Sequence, residues 1–261
     1  MKALKDLKAE YKMAQPFPHI VLEDFIHPNR IEAVCKAFPS ISDIPWYAYD
    51  NVFERKYAYN DVLGLPQTIT DLMWELNSAN FISFLEELTG IADLIADDSF
   101  RGGGLHCIPQ GGKLDIHADF NILPGTGLHR RLNVILFLSD SWKQEYGGAF
   151  ELWNHDMSRC VNRILPKKNR MVIFSVTDTS FHGHPEPLNT PDGIYRKSMA
   201  WYYYTKDRPE SERSPLHSTL YQKLPGVTEN KDIEELRARR AEGRLANIQL
   251  NSFSNNGEES R

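Results

Sequence analysis

The chain has 261 residues, 41% hydrophobic and 25% charged, with a formal net charge of −5. That balance excludes disorder over most of the length. The acidic excess argues against a nucleic-acid partner, which usually calls for a basic surplus. No apolar run approaches the roughly 20 residues that span a bilayer, so no membrane partner is expected.

In chain order, the first fifteen residues alternate lysines with apolar side chains and lack the apolar centre of a signal peptide. The segment 18–25 reads as a short strand. Over 28–38, Pro28 opens a helix whose apolar positions Ile31, Val34, Cys35 and Phe38 recur at helical spacing. Phe81, Phe84, Leu85 and Leu88 form a second such stripe, closed by Gly90 as a C-cap. Residues 1–99 therefore read as mainly helical. From about 100 to 206 the texture changes to short segments rich in Val, Ile, Phe, Trp and Tyr, at 132–138, 149–153, 171–176 and 198–205. Gly, Pro, Asn and Asp clusters separate them. Strands in succession with no helix between them predict an antiparallel barrel or double sheet. Beyond 207 the chain is polar, with helical composition at 229–246 and a loose tail at 251–261. Cys35, Cys107 and Cys160 are widely spaced and form no CxxC pair, which fits a reducing, cytoplasmic setting.

The chemistry concentrates in GGKLDIHADFN at 111–121. On a strand, Leu114, Ile116 and Ala118 share one face, and Asp115, His117 and Asp119 share the other. An imidazole and a carboxylate thus project side by side. Two His and one carboxylate on one face of an octahedron suit Fe(II) and leave three open positions. The missing His must come from another strand. Taken alone, a His-x-Asp pair is more often ordinary polar filling of a half-buried strand. A second element, 174–185, runs from an apolar strand through a polar turn into His182-Gly183-His184-Pro185. A third brings Arg196 into the aromatic strand that ends at Thr205. The planar fork of Arg suits bidentate capture of a carboxylate.

The order of these parts resembles the iron(II)/2-oxoglutarate-dependent oxygenases, in particular their prolyl-4-hydroxylase-like branch. The likeness spans about 100–206 and includes the core strand at 129–138, the paired Gly147-Gly148 strand and the element at 166–174. The opening FPHIVLEDF at 17–25 also looks like many bacterial members. The resemblance implies a mainly β fold with flanking helices, built on a double-stranded β-helix (jelly-roll, cupin-like) core. The chain then divides as one oxygenase domain over 1–261: a helical part at 1–99, the core at 100–206 and a polar extension at 207–261. His117, Asp119 and His182 are implied as ligands of Fe(II), and Arg196 as the partner of the distal carboxylate of 2-oxoglutarate. Dioxygen is the third reactant and ascorbate an optional reductant. Coupled oxidation of the co-substrate to succinate and CO2 would hydroxylate an unactivated C–H bond.

Strand parity does not separate His182 from His184. The family's His-Gly-x-Pro order selects His182 and leaves His184 facing substrate. A family tyrosine on the core strand is here Phe137, so Asn133 or Ser198 is expected to supply the missing polar contact to 2-oxoglutarate. His106 lines the pocket or packs at a strand edge. Of Arg130 and Arg131, one is structural, and Arg131 is expected to hold an anionic substrate. The glycines at 102–104 have no strand–turn–helix context and are not a nucleotide fingerprint. Asp119 argues against the iron halogenases, which put a small residue there. For the substrate, a small metabolite is preferred over a prolyl residue in a protein. A non-oxidative metal-binding cupin and a zinc hydrolase remain as alternatives, and a homodimer stays open as the assembly state.

Overall fold

The computed structural model describes residues 3–241. The chain begins with α1 (Leu4–Met13), β1 (His19–Leu22) and α2 (Pro28–Ala37), followed by a hairpin of β2 (Tyr47–Asp50) and β3 (Glu54–Tyr59). Two helices, α3 (Gln67–Leu76) and α4 (Ala79–Thr89), lead through β4 (Ile95–Ala96) into the barrel. The barrel strands are β5 (Gly104–Ile108), β6 (Lys113–Ala118), β7 (His129–Phe137), β8 (Phe150–Trp153), β9 (Cys160–Ile164), β10 (Met171–Ser175), β11 (His182–His184) and β12 (Arg196–Thr205). The arm beyond them carries β13 (Leu220–Tyr221) and α5 (Lys231–Ala241).

The sheet order is β1-β10-β7-β12-β5-β3-β6-β11-β8-β9, and the pairings between named strands are antiparallel. β3 pairs with both β5 and β6, so the sheet curls into two facing layers, the double-stranded β-helix expected from the sequence. β3 and β13 pair with different halves of β6, which shields a strand that would otherwise be an open edge.

Alternation on the central strands separates two apolar layers. Leu132, Val134 and Leu136 of β7 and Met199, Trp201 and Tyr203 of β12 face the helices. There they meet Ile31 and Val34 of α2, Ile69, Leu72 and Met73 of α3, and Leu85 and Leu88 of α4. Each such fully buried side chain contributes about 1.5–3 kcal/mol. Two aromatic polar atoms fix α3 as well. Trp201 Nε1 donates to Met73 O at 3.1 Å and Tyr203 Oη to Leu76 O at 2.5 Å, which satisfies carbonyls at the helix end. Phe137, Phe150, Leu152, Phe174 and Val172 form the second layer, between the two sheets.

The helical expectations at 28–38 and 81–90 match α2 and α4. Pro28 starts the first, and Gly90 ends the second at φ +77°. The reading of 1–99 as mainly helical misses the β2–β3 hairpin, whose residues 47–59 join the barrel wall. Its alternating Tyr47, Tyr49, Tyr57 and Tyr59 carried the period-two signal. The helix expected at 229–246 is α5 over its described part, and the loose tail expected at 251–261 lies outside the described residues. The three cysteines are free thiols. Among the described residues no helix is long and apolar enough to cross a membrane.

Candidate active site

β6 and β11 lie side by side with His117 opposite His182, so the two imidazoles meet from adjacent antiparallel strands. Their ring centroids are 4.4 Å apart. Asp119, just past the end of β6, completes the group: one ligand atom from each of the three residues falls within 4.8 Å of the others, and all three are buried. His117 Nε2 is 3.6 Å from Asp119 Oδ1, and His182 Nε2 is 3.5 Å from Asp119 Oδ2.

Each imidazole is oriented from behind. His117 Nδ1 lies 2.8 Å from Asp115 O, and His182 Nδ1 lies 2.8 Å from Ser180 O. A carbonyl only accepts, so each Nδ1 carries the proton and each Nε2 turns a lone pair into the centre. Burial, with His117 alongside, pulls His182 down to about 4, so its ring is neutral. Burial by itself would raise the Asp119 carboxyl. Arg130 and the two imidazoles outweigh it and hold Asp119 well below the usual carboxylate range. Asn133 Nδ2 donates to Asp119 Oδ2 at 2.7 Å, and Arg130 Nη2 lies 3.2 Å from the same oxygen in an ion pair that is not aligned as a hydrogen bond. Two Nε2 atoms turned inward and a carboxylate are the donor set that Fe(II) accepts, so these residues fit that metal.

Arg196 opens β12 inside the same barrel and is 4% exposed. Its Nε donates to Gly148 O at 2.8 Å, and its guanidinium lies 5.0 Å from the Phe137 ring centroid. Among the described residues no carboxylate pairs with it, and burial pulls it down to about 9. A desolvated cation without an anion is costly, and a bound carboxylate would offset that cost.

Residues 103–204 match the model of the 2OG-Fe(II) oxygenase superfamily. The matched span runs from β5 through nearly all of β12, so the likeness covers the barrel. The curated relatives include prolyl 3-hydroxylase OGFOD1 of Mus musculus, 32% identical over 34% of this chain and 16% of that protein. The Xenopus laevis protein of the same name is 23% identical over 72% of this chain and 35% of that one. The chain thus spans about a third or less of the length of these relatives. Among solved structures, a Pseudomonas putida prolyl-4-hydroxylase superposes with a TM-score of 0.54 at 12% identity, covering 76% of this chain and 98% of that one. HygX from Streptomyces hygroscopicus, with nickel and 2-oxoglutarate bound, gives 0.53 at 11% identity over 86% and 98%. At such identities these structures share the fold.

The oxygenase barrel brings some expected residues to the centre and not others. Asn133 is not beside Arg196. It sits four residues, or about 13 Å along β7, from Phe137 and is committed to Asp119 and to Arg130 Nε. Ser198 is level with Phe137 and His106 across β12 and is 2% exposed. The two arginines exchange the roles expected of them. Strict alternation would put Arg131 on the Asn133 face. The β7–β12 register skips Arg131, pairing Leu132 with Tyr203 and Arg130 with Tyr204. That bulge turns Arg130 inward, 3.5 Å from the Tyr202 ring centroid, and sends Arg131 to Glu212 at 3.4 Å. His106 faces inward between Ala58 and Ser198, where burial and Lys56 pull it down to about 3. Lys56, on the hairpin and 3.0 Å from Glu54, was missed along with its strand.

Gly183 separates the two histidines for a steric reason. A methyl there would lie 2.8 Å from the carbonyl oxygens of Leu114 and Asp115, and the latter oxygen orients His117. Gly183→Ala should therefore push β11 off β6, destabilise the fold by about 1–3 kcal/mol and weaken metal retention. Thermal unfolding and metal content by mass spectrometry check this. A variant with the wild-type metal content would show that the strands yield without disturbing His117.

The C-terminal arm is tied to the turns beside the ligands. His217 N donates to Asn121 Oδ1 at 3.1 Å, and its Nε2 lies 3.0 Å from Asp178 Oδ1, on the turn that precedes His182. Burial would lower His217, but the Asp178 carboxylate raises it above the ordinary 6.5. A raised folded pKa stabilises fully below 6.5 and loses that contribution as pH rises through the folded value. Amide hydrogen exchange over 214–221, corrected for intrinsic rates, should quicken between about pH 6 and pH 8.5. His217→Phe should remove that pH dependence.

Proposed function

We propose that the protein is an Fe(II)- and 2-oxoglutarate-dependent hydroxylase acting on a prolyl residue of a protein or peptide. The observation that carries the oxygenase reading is the buried His117–Asp119–His182 group, with both Nδ1 atoms tied to carbonyls, in the same barrel as an Arg196 that has no anionic partner among the described residues. Arg196 also sets this reading above the non-oxidative cupin, which needs no dicarboxylate clamp. The preference for a small metabolite drawn from the sequence gives way to the protein-directed alternative, because both curated relatives are named prolyl hydroxylases.

The chain's own residues have separable roles. Asp115 O and Ser180 O hold the ligand tautomers. Arg130 and Asn133 keep Asp119 ionised and fixed through Oδ2. Arg196 binds the distal carboxylate of the co-substrate, with Phe137 closing the space beneath it. Phe150 and Phe174 pack on His182 with centroids at 5.5 and 4.7 Å and exclude water from that side. Fe(II) with 2-oxoglutarate and dioxygen supplies the oxidising power for C–H hydroxylation, with succinate and CO2 as co-products.

Anaerobic titration of the Fe(II)-loaded protein with 2-oxoglutarate tests the class, and a metal-to-ligand charge-transfer band in the visible is expected. Succinate release in air, stimulated by proline-containing peptides and not by free amino acids, tests the substrate. No band and no succinate would sink the oxygenase reading. Stimulation by free amino acids alone would return the substrate to the small-metabolite class.

A further inference from the structure

His184 has the surroundings of a ligand-binding group and no partner of its own. It is 2% exposed, and among the described residues neither ring nitrogen has a hydrogen-bond partner. A buried imidazole with both nitrogens unsatisfied costs free energy, and a satisfied alternative on the same strand is rare to forgo without function. By the alternation of β11 it shares a face with His182 and lies about 6.6 Å further along, on the order of the length of an extended five-carbon diacid, while the register against β6 shifts between the two, from His117 to Leu114. The positive charges of Arg196 and Lys56 act on it. Gly148 connects the two candidates. Its carbonyl accepts from Arg196 Nε, and it lines with His184 a cleft of about 290 Å³. A methyl at Gly148 would lie 2.4 Å from Leu188 Cδ2 and 3.1 Å from Arg196 Cδ, so a side chain there would press on Leu188 first and on Arg196 next. Phe137, whose ring centroid lies 5.0 Å from the Arg196 guanidinium, offers no polar atom there.

We propose that His184 is a second clamp for the distal carboxylate of 2-oxoglutarate, donating an imidazole N–H to it alongside the guanidinium of Arg196. It thereby sets the preference for a dicarboxylate over a 2-oxo monoacid. The proposal rests on the oxygenase reading above. It replaces the expectation that His184 faces the hydroxylated substrate.

The test is anaerobic calorimetry on the Mn(II)-loaded full chain, with 2-oxoglutarate and with 2-oxopentanoate, which lacks only the distal carboxylate. Wild type should bind the diacid at least about 100-fold more tightly. His184→Leu should weaken the diacid by roughly 10- to 100-fold and leave the monoacid within about twofold. His184→Gln, which retains an N–H donor, should recover part of the difference. Equal weakening of both acids, or no change in either, overturns the proposal. Wild type binding neither acid would instead overturn the oxygenase reading beneath it. Should the leucine variant fail to fold, nitrogen NMR of the Zn(II)-loaded wild type still decides. Succinate should shift the His184 ring nitrogens, and their insensitivity to succinate would rule the clamp out.

Discussion

Asp119→Ala is expected to remove the iron and to destabilise the metal-free protein as well. The two effects have different origins. Loss of one of three ligands should lower Fe(II) affinity by more than about 100-fold, since even partners that merely orient a ligand are worth 10- to 100-fold. The second effect comes from Arg130, which is 1% exposed and has Asp119 as its anionic partner at 3.2 Å. Removing one member of a buried ion pair typically costs about 3–5 kcal/mol, because the other charge stays desolvated. A fall in Tm of roughly 10 °C follows for a chain of this size. Metal content and the unfolding of chelator-treated protein separate the two. Asp119→Asn should lose the metal as completely and still leave Arg130 without an anion. Retention of stoichiometric iron by either variant would remove Asp119 from the ligand set.

Arg196→Met is expected to act in opposite directions on binding and on stability. Arg196 is buried with no carboxylate partner among the described residues, and burial depresses its pKa to about 9. Its Nε donates to a neutral carbonyl, Gly148 O. Exchange of a buried, unpaired cation for an apolar side chain of similar length is stabilising by about 1–4 kcal/mol where comparable exchanges have been made. The Met variant should therefore unfold several degrees above wild type in the absence of 2-oxoglutarate. Its affinity for 2-oxoglutarate should fall by at least about 100-fold, because deleting one partner of a desolvated charge pair costs roughly 2–5 kcal/mol. Iron should remain, since the His117–Asp119–His182 group does not depend on Arg196. Added 2-oxoglutarate should raise the Tm of wild type and not that of the variant. A variant less stable than wild type and still able to bind 2-oxoglutarate would make Arg196 a structural residue.

These two residues also mark how far the sequence could be read. Asp119 and His117 were legible because a strand has a period of two, which no tertiary contact alters. Their union with His182 was an inference from the order of parts, and the β6–β11 pairing supplies its physical basis. α2 and α4 were legible through local chemistry, a proline at the first helical position and a left-handed glycine at the end. The central strands were legible because one face had to meet the helices and the other the barrel interior.

What surrounds the triad was decided only in three dimensions. A bulge at Arg131 exchanged the inward and outward arginines, and a bulge depends on how two strands pair, which neither strand encodes alone. Asn133 shared a face with Phe137, yet its distance along β7 put it beside Asp119 and away from Arg196. Lys56 entered the barrel on a hairpin that local composition had assigned to a helical region. Sequence by itself put His117 and Asp119 on one face of a strand and set the helix ends, because period, capping and residue type are local. The tertiary structure decided which charges stand next to it, because burial and neutralisation depend on strands far apart in the chain.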